Sequence, residues 1–141
     1  MIYERILAEL VSKNCKLTPQ RKEILKVLIR AKTPLSAREI FDRLCKNSAG
    51  ISFDTVYRNL TILKDFHIVN HLDFQDGRGR YELNRHQDHH HHHVVCLKCG
   101  AVWKIPECPV EHLRTFENGP QNFKVTSHRF ELFGYCQNCQ E

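Results

Sequence analysis

The stretch SFDTVYRNLTILKDF, residues 52–66, decides the first half of the fold. Its apolar residues Val56, Leu60 and Leu63 recur at helical spacing, so it predicts an amphipathic helix that buries this stripe. Either Ser52 or Asp54 is expected to cap the first turn. Polar side chains fill the opposite face and leave it available for a ligand.

Three further helices are predicted before this one, and two extended runs follow it. The helix starts are marked by Met1, by Thr18 followed by Pro19, and by Ser36 in a capping box with Glu39. The extended runs at residues 68–74 and 80–83 flank a Gly-containing loop, which is typical of a hairpin. Helices followed by a hairpin predict a winged helix-turn-helix, whose last helix lies in the DNA major groove.

Charge and metal-binding residue types are unevenly distributed along the 141 residues. Residues 1–85 contain 16 Lys and Arg against 10 Asp and Glu, whereas residues 86–141 contain 5 against 6. Eight of the ten His and five of the seven Cys lie after residue 85. We therefore expect a nucleic-acid-binding domain over residues 1–84, with a hinge at its end, and a metal-binding domain over residues 85–141.

The outward face of the 52–66 helix carries the candidate DNA contacts Thr55, Tyr57, Arg58 and Asn59. Arginine reads guanine bidentately, and Tyr and Thr contact thymine methyl groups or phosphates. Lys16 is expected to reach a minor groove or a phosphate, and Arg21 a phosphate. The alternative is that Tyr57 packs against the domain and the charges form a solvated face.

Two Cys-x-x-Cys pairs, Cys96 with Cys99 and Cys136 with Cys139, predict a structural zinc site. Each pair places two thiolates on one tight turn, and four thiolates complete a tetrahedral site with no open position. Because 36 residues separate the pairs, the site must join distant parts of a small sheet. Disulfides or a redox-active Cys-x-x-Cys are the alternatives.

Five consecutive His, residues 89–93, run directly into a predicted strand. Strand side chains alternate between faces, so His90 and His92 are expected on one face and His91 and His93 on the other. One short run can thus supply two separate metal sites, and imidazole suits zinc, copper, iron and nickel.

Each His pair needs further ligands. A helix predicted over residues 107–119 and strands predicted over residues 123–135 offer Glu111 and His128 to the first pair. The hairpin and the residues after it offer His71, Glu82 and His86 to the second pair.

Together, the 52–60 motif, the His run and the two Cys pairs resemble the ferric uptake regulator family, from about Lys16 to Cys139. The resemblance implies an α+β homodimer with a winged-helix domain and an α/β dimerisation domain that contains a four-cysteine zinc site. It implies a transcription factor that binds AT-rich inverted repeats in double-stranded DNA when loaded with metal. The family's DNA-contacting Tyr-Arg pair falls on Tyr57 and Arg58, and its basic residue before the second helix falls on Lys16.

The resemblance also implies the metal ligands. The four zinc thiolates fall on the cysteines of the two pairs. A dimerisation-domain site falls on His90, His92, Glu111 and His128. An interdomain sensory site keeps His91 and His93.

Two departures weaken an iron- or peroxide-sensing interpretation. Pro34 and Lys104 stand where iron and peroxide sensors have a His and a carboxylate. The Glu107-Cys108-Pro109 element is similar to the zinc uptake regulators of the family. Where those regulators carry a sensory Cys this chain has Arg85, so we expect His86 to replace that thiolate, with His71 or Glu82 as the fourth ligand.

The remaining cysteines receive no metal-binding role. Cys108 is expected to be a helix-start or core residue rather than a ligand. Cys15 and Cys45 are expected to be buried or simply reduced.

The sequence therefore predicts a zinc-responsive repressor of metal uptake genes, with Zn²⁺ in both structural and regulatory roles. Regulation by Fe²⁺, Mn²⁺, Ni²⁺ or peroxide is the alternative within the family. A His-cluster metallohydrolase is disfavoured, because it needs an open metal position and a general base and leaves the winged helix unexplained. The sequence contains neither a membrane-spanning apolar run nor a secretory signal at its start, so we expect a cytoplasmic protein.

Overall fold

The computed structural model describes residues 1–47, 50–75, 77–84, 92–113, 116 and 119–140, and for Glu111 it describes the backbone alone. The chain divides into two compact units, Met1–Arg85 and His86–Glu141. Among the helices in these described stretches, none is both long and apolar enough to cross a lipid bilayer.

The first unit contains four α-helices followed by a β-hairpin. The elements are α1 Ile2–Ser12, α2 Pro19–Arg30, α3 Ala37–Lys46, α4 Phe53–Asp65, β1 Val69–Asp73 and β2 Gly79–Leu83. The two strands pair antiparallel, from Val69 opposite Leu83 to Asp73 opposite Gly79. This order of elements confirms the predicted winged helix-turn-helix.

Hydroxyl side chains start three of these helices. Thr18, Ser36 and Ser52 each accept a hydrogen bond from the backbone N–H three residues further on, at 3.1–3.2 Å. Each bond satisfies one of the N–H groups that the first turn of a helix leaves without a partner. The cap of α4 is therefore Ser52 and not Asp54.

The apolar stripes of the four helices meet in one core. Its fully buried members include Leu10, Ile24, Ile40, Val56, Leu60 and Leu63. The backbones of Leu35 and Tyr81 exchange two hydrogen bonds, at 3.0 and 2.6 Å. This bridge ties the segment before α3 to β2, so the hairpin is held against the helices.

The second unit is built on a three-stranded sheet. Its strands are β3 His92–Cys96, β4 Val102–Ile105 and β5 Glu131–Gly134, with β3 in the centre. β3 runs antiparallel to β4 and parallel to β5. Because Cys96 pairs with Gly134, the ends of β3 and β5 lie side by side.

The helix predicted over residues 107–119 is wrong in type and extent. The structure has a short 3₁₀ helix, Pro109–His112, and the backbone is extended at Leu113. Leu113 and Phe116, which contributed to the predicted stripe, are exposed. The stability of a helix depends mainly on burial of its apolar face, and the described part of this unit does not bury the apolar side chains of this segment.

The strands predicted over residues 123–135 are reduced to Glu131–Gly134. Phe123 and Val125 follow an alternating pattern, yet both are exposed. A strand needs a neighbour for its backbone N–H and C=O groups. Within the described ranges, only the last four-residue segment of this stretch pairs with β3.

Candidate functional site

Four cysteine thiols converge where β3 and β5 end. Cys96 is the last residue of β3, and Cys99 follows on a turn that the Gly100 N–H closes by donating to the Cys96 carbonyl at 2.9 Å. Gly100 has a φ of 76°, a left-handed conformation that favours glycine. Cys136 and Cys139 lie on a second tight turn just after β5. The parallel pairing of β3 with β5 thus brings together two pairs that are far apart in sequence.

The geometry of these thiols fits tetrahedral zinc. All four Sγ atoms lie within 4.8 Å of one another. Cys99 Sγ and Cys136 Sγ are 3.8 Å apart. With Zn–S bonds of about 2.3 Å, a tetrahedral site has an S···S distance of about 3.8 Å. All seven cysteines are free thiols, so the geometry supports a four-cysteine metal site and not the disulfide alternative.

These thiols differ in how readily they ionise. The Cys136 N–H donates to Cys96 Sγ at 3.4 Å, and together with the Cys99 N–H it lowers the pKa of the Cys96 thiol to about 6. A hydrogen bond with the Cys136 side chain, together with burial, raises the pKa of the Cys139 thiol to about 12. Zinc binds thiolates, so its binding releases protons and is opposed by acid.

A second cluster of metal-binding atoms joins β3 to Cys108 and His128. His92 Nε2 lies 3.2 Å from Cys108 Sγ and 3.2 Å from His128 Nε2, and Cys108 Sγ lies 3.3 Å from His128 Nε2. His92 and Cys108 are only 6% and 7% exposed. The three atoms form a nearly equilateral triangle that is largely shielded from solvent.

The His92 ring is oriented as a metal ligand would be. Its Nδ1 lies 3.1 Å from the carbonyl oxygen of Phe130, which can only accept, so Nδ1 carries the proton. Nε2 therefore presents its lone pair to Cys108 and His128, as in metal sites whose His is held by a carbonyl. Tetrahedral zinc with one sulfur and two nitrogen ligands has donor atoms about 3.3–3.6 Å apart. A zinc ion would fit among these three atoms if they moved slightly further apart.

Sequence reasoning identified two of these three residues. It grouped His92 and His128 with His90 and Glu111, but His90 and the side chain of Glu111 lie outside the described residues. Cys108 was missed. It is buried, as expected of a core residue, but its sulfur also contacts both imidazoles. The available signal was that Cys108 lies in sequence between the two candidate His ligands, His92 and His128.

The residues predicted for the sensory site are only partly described. His86 and His91 lie outside the described residues. His93 is buried on β3, and the antiparallel register places Lys104 directly opposite it. Opposed residues of an antiparallel pair project to the same face. The Lys104 side chain therefore projects on the His93 side of the sheet, and Pro34 is buried with no side-chain donor.

His71 and Glu82 project from opposite faces of the hairpin. The register pairs His71 with Tyr81 and Asn70 with Glu82, and successive residues of a strand alternate between faces. The His71 and Tyr81 rings are in contact, with centroids 4.8 Å apart. At most one of the two predicted ligands can therefore join a given metal site.

The exposed face of α4 carries Tyr57 and Arg58. Tyr57 is 55% exposed, Arg58 is exposed, and Thr55 is half-buried. Tyr57 also lines a groove of about 630 Å³ that it shares with Arg38 of α3 and Arg78 of the hairpin. The hairpin also contributes Asp73 to this groove, so its Arg78 is balanced there, and Arg38 supplies the remaining positive charge that a polyanion would meet.

Two predicted DNA contacts are corrected by the structure. Arg21 and Asn59 are buried, and Arg21 Nε donates to Asn59 Oδ1 at 3.0 Å. The prediction that Asn59 lies on the outward face of α4 is wrong. Its polarity suggested a surface position, whereas the hydrogen bond to Arg21 satisfies it inside the unit.

Comparison with known proteins agrees with these features. The chain matches the ferric uptake regulator family over residues 12–133. The peroxide-responsive repressor PerR of Staphylococcus aureus is 33% identical over 138 residues, which cover 98% of this chain and 91% of PerR.

Solved structures of similar proteins also belong to metal uptake regulators. The Helicobacter pylori ferric uptake regulator Fur, described as having three functional metal binding sites, superposes with a TM-score of 0.79 at 28% identity and covers 99% of this chain and 92% of Fur. A zinc-bound manganese uptake regulator gives a TM-score of 0.72 at 29% identity, covering 92% of this chain and 96% of the other.

The family match spans most of the chain, and its members bind DNA and act as dimers. The metal-binding clusters and the exposed face of α4 agree with this. The chain belongs to the ferric uptake regulator family and is a metal-responsive transcription regulator, not an enzyme.

Proposed function

We propose that this protein is a cytoplasmic, zinc-responsive repressor that binds operator DNA as a homodimer and controls metal uptake genes. The triangle of His92 Nε2, Cys108 Sγ and His128 Nε2 carries the zinc assignment. A thiolate is a soft ligand that favours zinc, whereas Mn²⁺ favours carboxylate and water ligands. Two imidazoles and one thiolate also leave a fourth position, which Glu111, His90 or water would fill.

The surroundings of His93 count against the usual iron or peroxide sensor of the family. Lys104 stands opposite His93, at the position where those sensors have a carboxylate, so an oxygen ligand of their metal is missing here. His91, His93 and His86, with either His71 or Glu82, are the proposed ligands of a second regulatory metal.

Exposed apolar side chains on the second unit support the homodimer. Nine large ones are exposed among its described residues: Leu97, Trp103, Leu113, Phe116, Phe123, Val125, Leu132, Phe133 and Tyr135. Monomeric proteins rarely expose large apolar patches, and a second copy would cover part of these side chains. A two-fold dimer presents two copies of α4, which matches an inverted-repeat operator, and Lys16 suits the narrow minor groove of AT-rich DNA.

Zinc is expected to raise the affinity for the operator by about 5- to 150-fold, the usual range of coupling between two ligands of one protein. Bound zinc would hold the two α4 helices at the half-site spacing, so zinc and DNA strengthen each other's binding. The probe is a labelled duplex selected from a random pool by the zinc-loaded protein, and its fluorescence anisotropy is measured across zinc buffers. Equal affinity with the regulatory zinc stripped and the four-cysteine zinc retained would exclude a zinc-responsive repressor.

An iron- or peroxide-responsive regulator is the alternative, and similarity to PerR favours it. Metal analysis of protein from cells grown in balanced metals separates the two functions. Zinc beyond the four-cysteine site, no iron, and no oxidation of His by peroxide support the zinc-responsive repressor. Bound iron together with peroxide-oxidised His would establish the alternative.

Arg58→Ala and Lys16→Ala are expected to affect DNA binding differently. Arg58 faces outward on α4, and loss of a bidentate base contact costs about 1–3 kcal/mol of discrimination between sequences. Lys16 lies in the loop before α2, so its loss should weaken binding to all sequences and reduce the salt slope by about 1. Affinities for the selected and a scrambled duplex at several salt concentrations test this, and equal losses of discrimination would contradict it.

A further inference from the structure

A buried cation connects the recognition helix to the preceding elements. Arg21, in the first turn of α2, is 7% exposed, and Asn59 of α4 is 6% exposed. Arg21 Nε donates to Asn59 Oδ1 at 3.0 Å, and Asn59 Nδ2 donates to the Thr55 carbonyl at 2.8 Å. The Asn59 amide is therefore held from both sides, and it fixes α2 against α4.

The other end of the Arg21 guanidinium faces the loop before α2. Its Nη1 donates to the Lys16 carbonyl oxygen and lies 3.4 Å from Cys15 Sγ. Cys15 is buried, whereas the Lys16 side chain is exposed. The backbone of Lys16 is thus anchored inside the unit while its ammonium group projects into solvent.

A guanidinium is suited to this task. Its planar fork donates in several fixed directions at once, and it stays charged at any physiological pH. Apolar residues of similar volume often stabilise a fold as well as a buried charge does. What the buried charge adds here is a fixed geometry between two segments, the Lys16 loop and α4.

We propose that Arg21 and Asn59 are positioning residues for DNA recognition, which hold Lys16 in register with Tyr57 and Arg58. Lys16 then meets the backbone or minor groove of the same site that α4 reads in the major groove. Loss of this connection leaves every surface charge in place, so non-specific attraction to DNA persists while binding to the operator suffers. The inference rests on the proposed DNA-binding function.

Arg21→Lys tests the connection, because lysine keeps the charge but cannot donate to the same set of acceptors. The zinc-loaded full-length protein is titrated with a duplex that the wild type selected from a random pool, and with a scrambled duplex of equal composition. Loss of a charge-assisted hydrogen bond is expected to lower affinity for the selected duplex about tenfold. Affinity for the scrambled duplex should change by less than about twofold.

A double-mutant cycle distinguishes positioning from stability. Lys16→Ala should cost clearly less affinity in the Arg21→Lys background than in the wild type, because an unanchored Lys16 no longer meets its site. Additive costs would overturn the inference. A purely structural Arg21 would lower the thermal midpoint without changing the contribution of Lys16.

Arg30→Lys is the matched control, since Arg30 is exposed at the end of the same helix, and both affinities should stay at the wild-type values.

If Arg21→Lys lacks the wild-type far-UV circular dichroism, Asn59→Ala replaces it, because that variant removes the Oδ1 acceptor and leaves the hydrogen bond from Arg21 to the Lys16 carbonyl. The same non-additivity with Lys16→Ala is expected there, and additivity overturns the inference. If the wild-type protein binds the selected and the scrambled duplex with equal affinity, the proposed function is refuted. If the wild type and Arg21→Lys show the same ratio of affinities for the two duplexes, only this inference is refuted.

Discussion

Cys96→Ser is expected to unfold the second unit and to leave the first unit folded. Structural zinc contributes about 10–16 kcal/mol, which is comparable with the whole stability of a domain, about 5–15 kcal/mol. Every member of the main hydrophobic core lies in the first unit. The second unit buries few apolar side chains among its described residues, chiefly Val95 and Val102. Without its zinc, the three-stranded sheet has too small a core to persist.

Two spectroscopic signals separate the units. Trp103 is the only tryptophan and lies on β4, so the tryptophan band of the near-UV circular dichroism spectrum, at wavelengths longer than tyrosine absorbs, reports on the second unit. All α-helices of the described chain lie in the first unit, so the far-UV helical signal reports on that unit. Cys96→Ser should lose the Trp103 signal and one zinc per subunit while it keeps the helical signal.

Cys45→Ser is the control for this result. Cys45 is exposed on α3 and belongs to neither metal cluster. This variant should match the wild type in zinc content and in both signals. A Cys96→Ser protein that keeps its zinc and its near-UV spectrum would show that the four cysteines do not stabilise the second unit.

The elements of the first unit were predictable because local chemistry and packing agree there. Three of the four helix starts carry a capping hydroxyl, and Val56, Leu60 and Leu63 face one core that the same unit supplies. The four-cysteine site was predictable for a similar reason, since each Cys-x-x-Cys defines its own turn. In both cases the sequence pattern and the partner that satisfies it lie within one compact unit.

The errors arise where the partner was not readable from the pattern. Asn59 has a polar side chain, and only the approach of Arg21 across two helices shows that it can be buried. His71 and Glu82 both looked available, because their separation onto opposite faces depends on the hairpin register, and a shift of one residue reverses the face. Cys108 required a contact across the sheet between segments far apart in sequence.

The apolar residues after Cys108 show a further reason for a wrong prediction. The pattern at residues 107–119 identifies apolar side chains that favour burial but does not indicate which surface would bury them. In one chain Leu113 and Phe116 stay exposed, so the helix that would bury them does not form. A surface that the proposed homodimer would cover carries the same residue types as an internal core, which is why periodicity predicted a helix here.

Cys108→Ser is expected to lower the zinc affinity of the regulatory site by more than about 100-fold, because loss of an outer partner of a metal ligand alone costs about 10–100-fold. A serine hydroxyl is a poor zinc ligand and leaves only His92 and His128 of the triangle. The four-cysteine zinc should remain, since Cys108 lies outside that cluster. Competition against a chromophoric chelator measures the affinity, and operator anisotropy in zinc buffers measures the response.

Cys108→Asp tests whether the sulfur sets the choice of metal. A carboxylate beside two imidazoles is a harder ligand set, so operator binding should become relatively more responsive to Mn²⁺ and less responsive to Zn²⁺. Cys45→Ser should show the wild-type order of metals. A Cys108→Ser protein with an unchanged zinc response would exclude the triangle as the sensor. The response would then depend on the site proposed at His91 and His93, where Lys104 opposes the metal, and His93→Ala should abolish it.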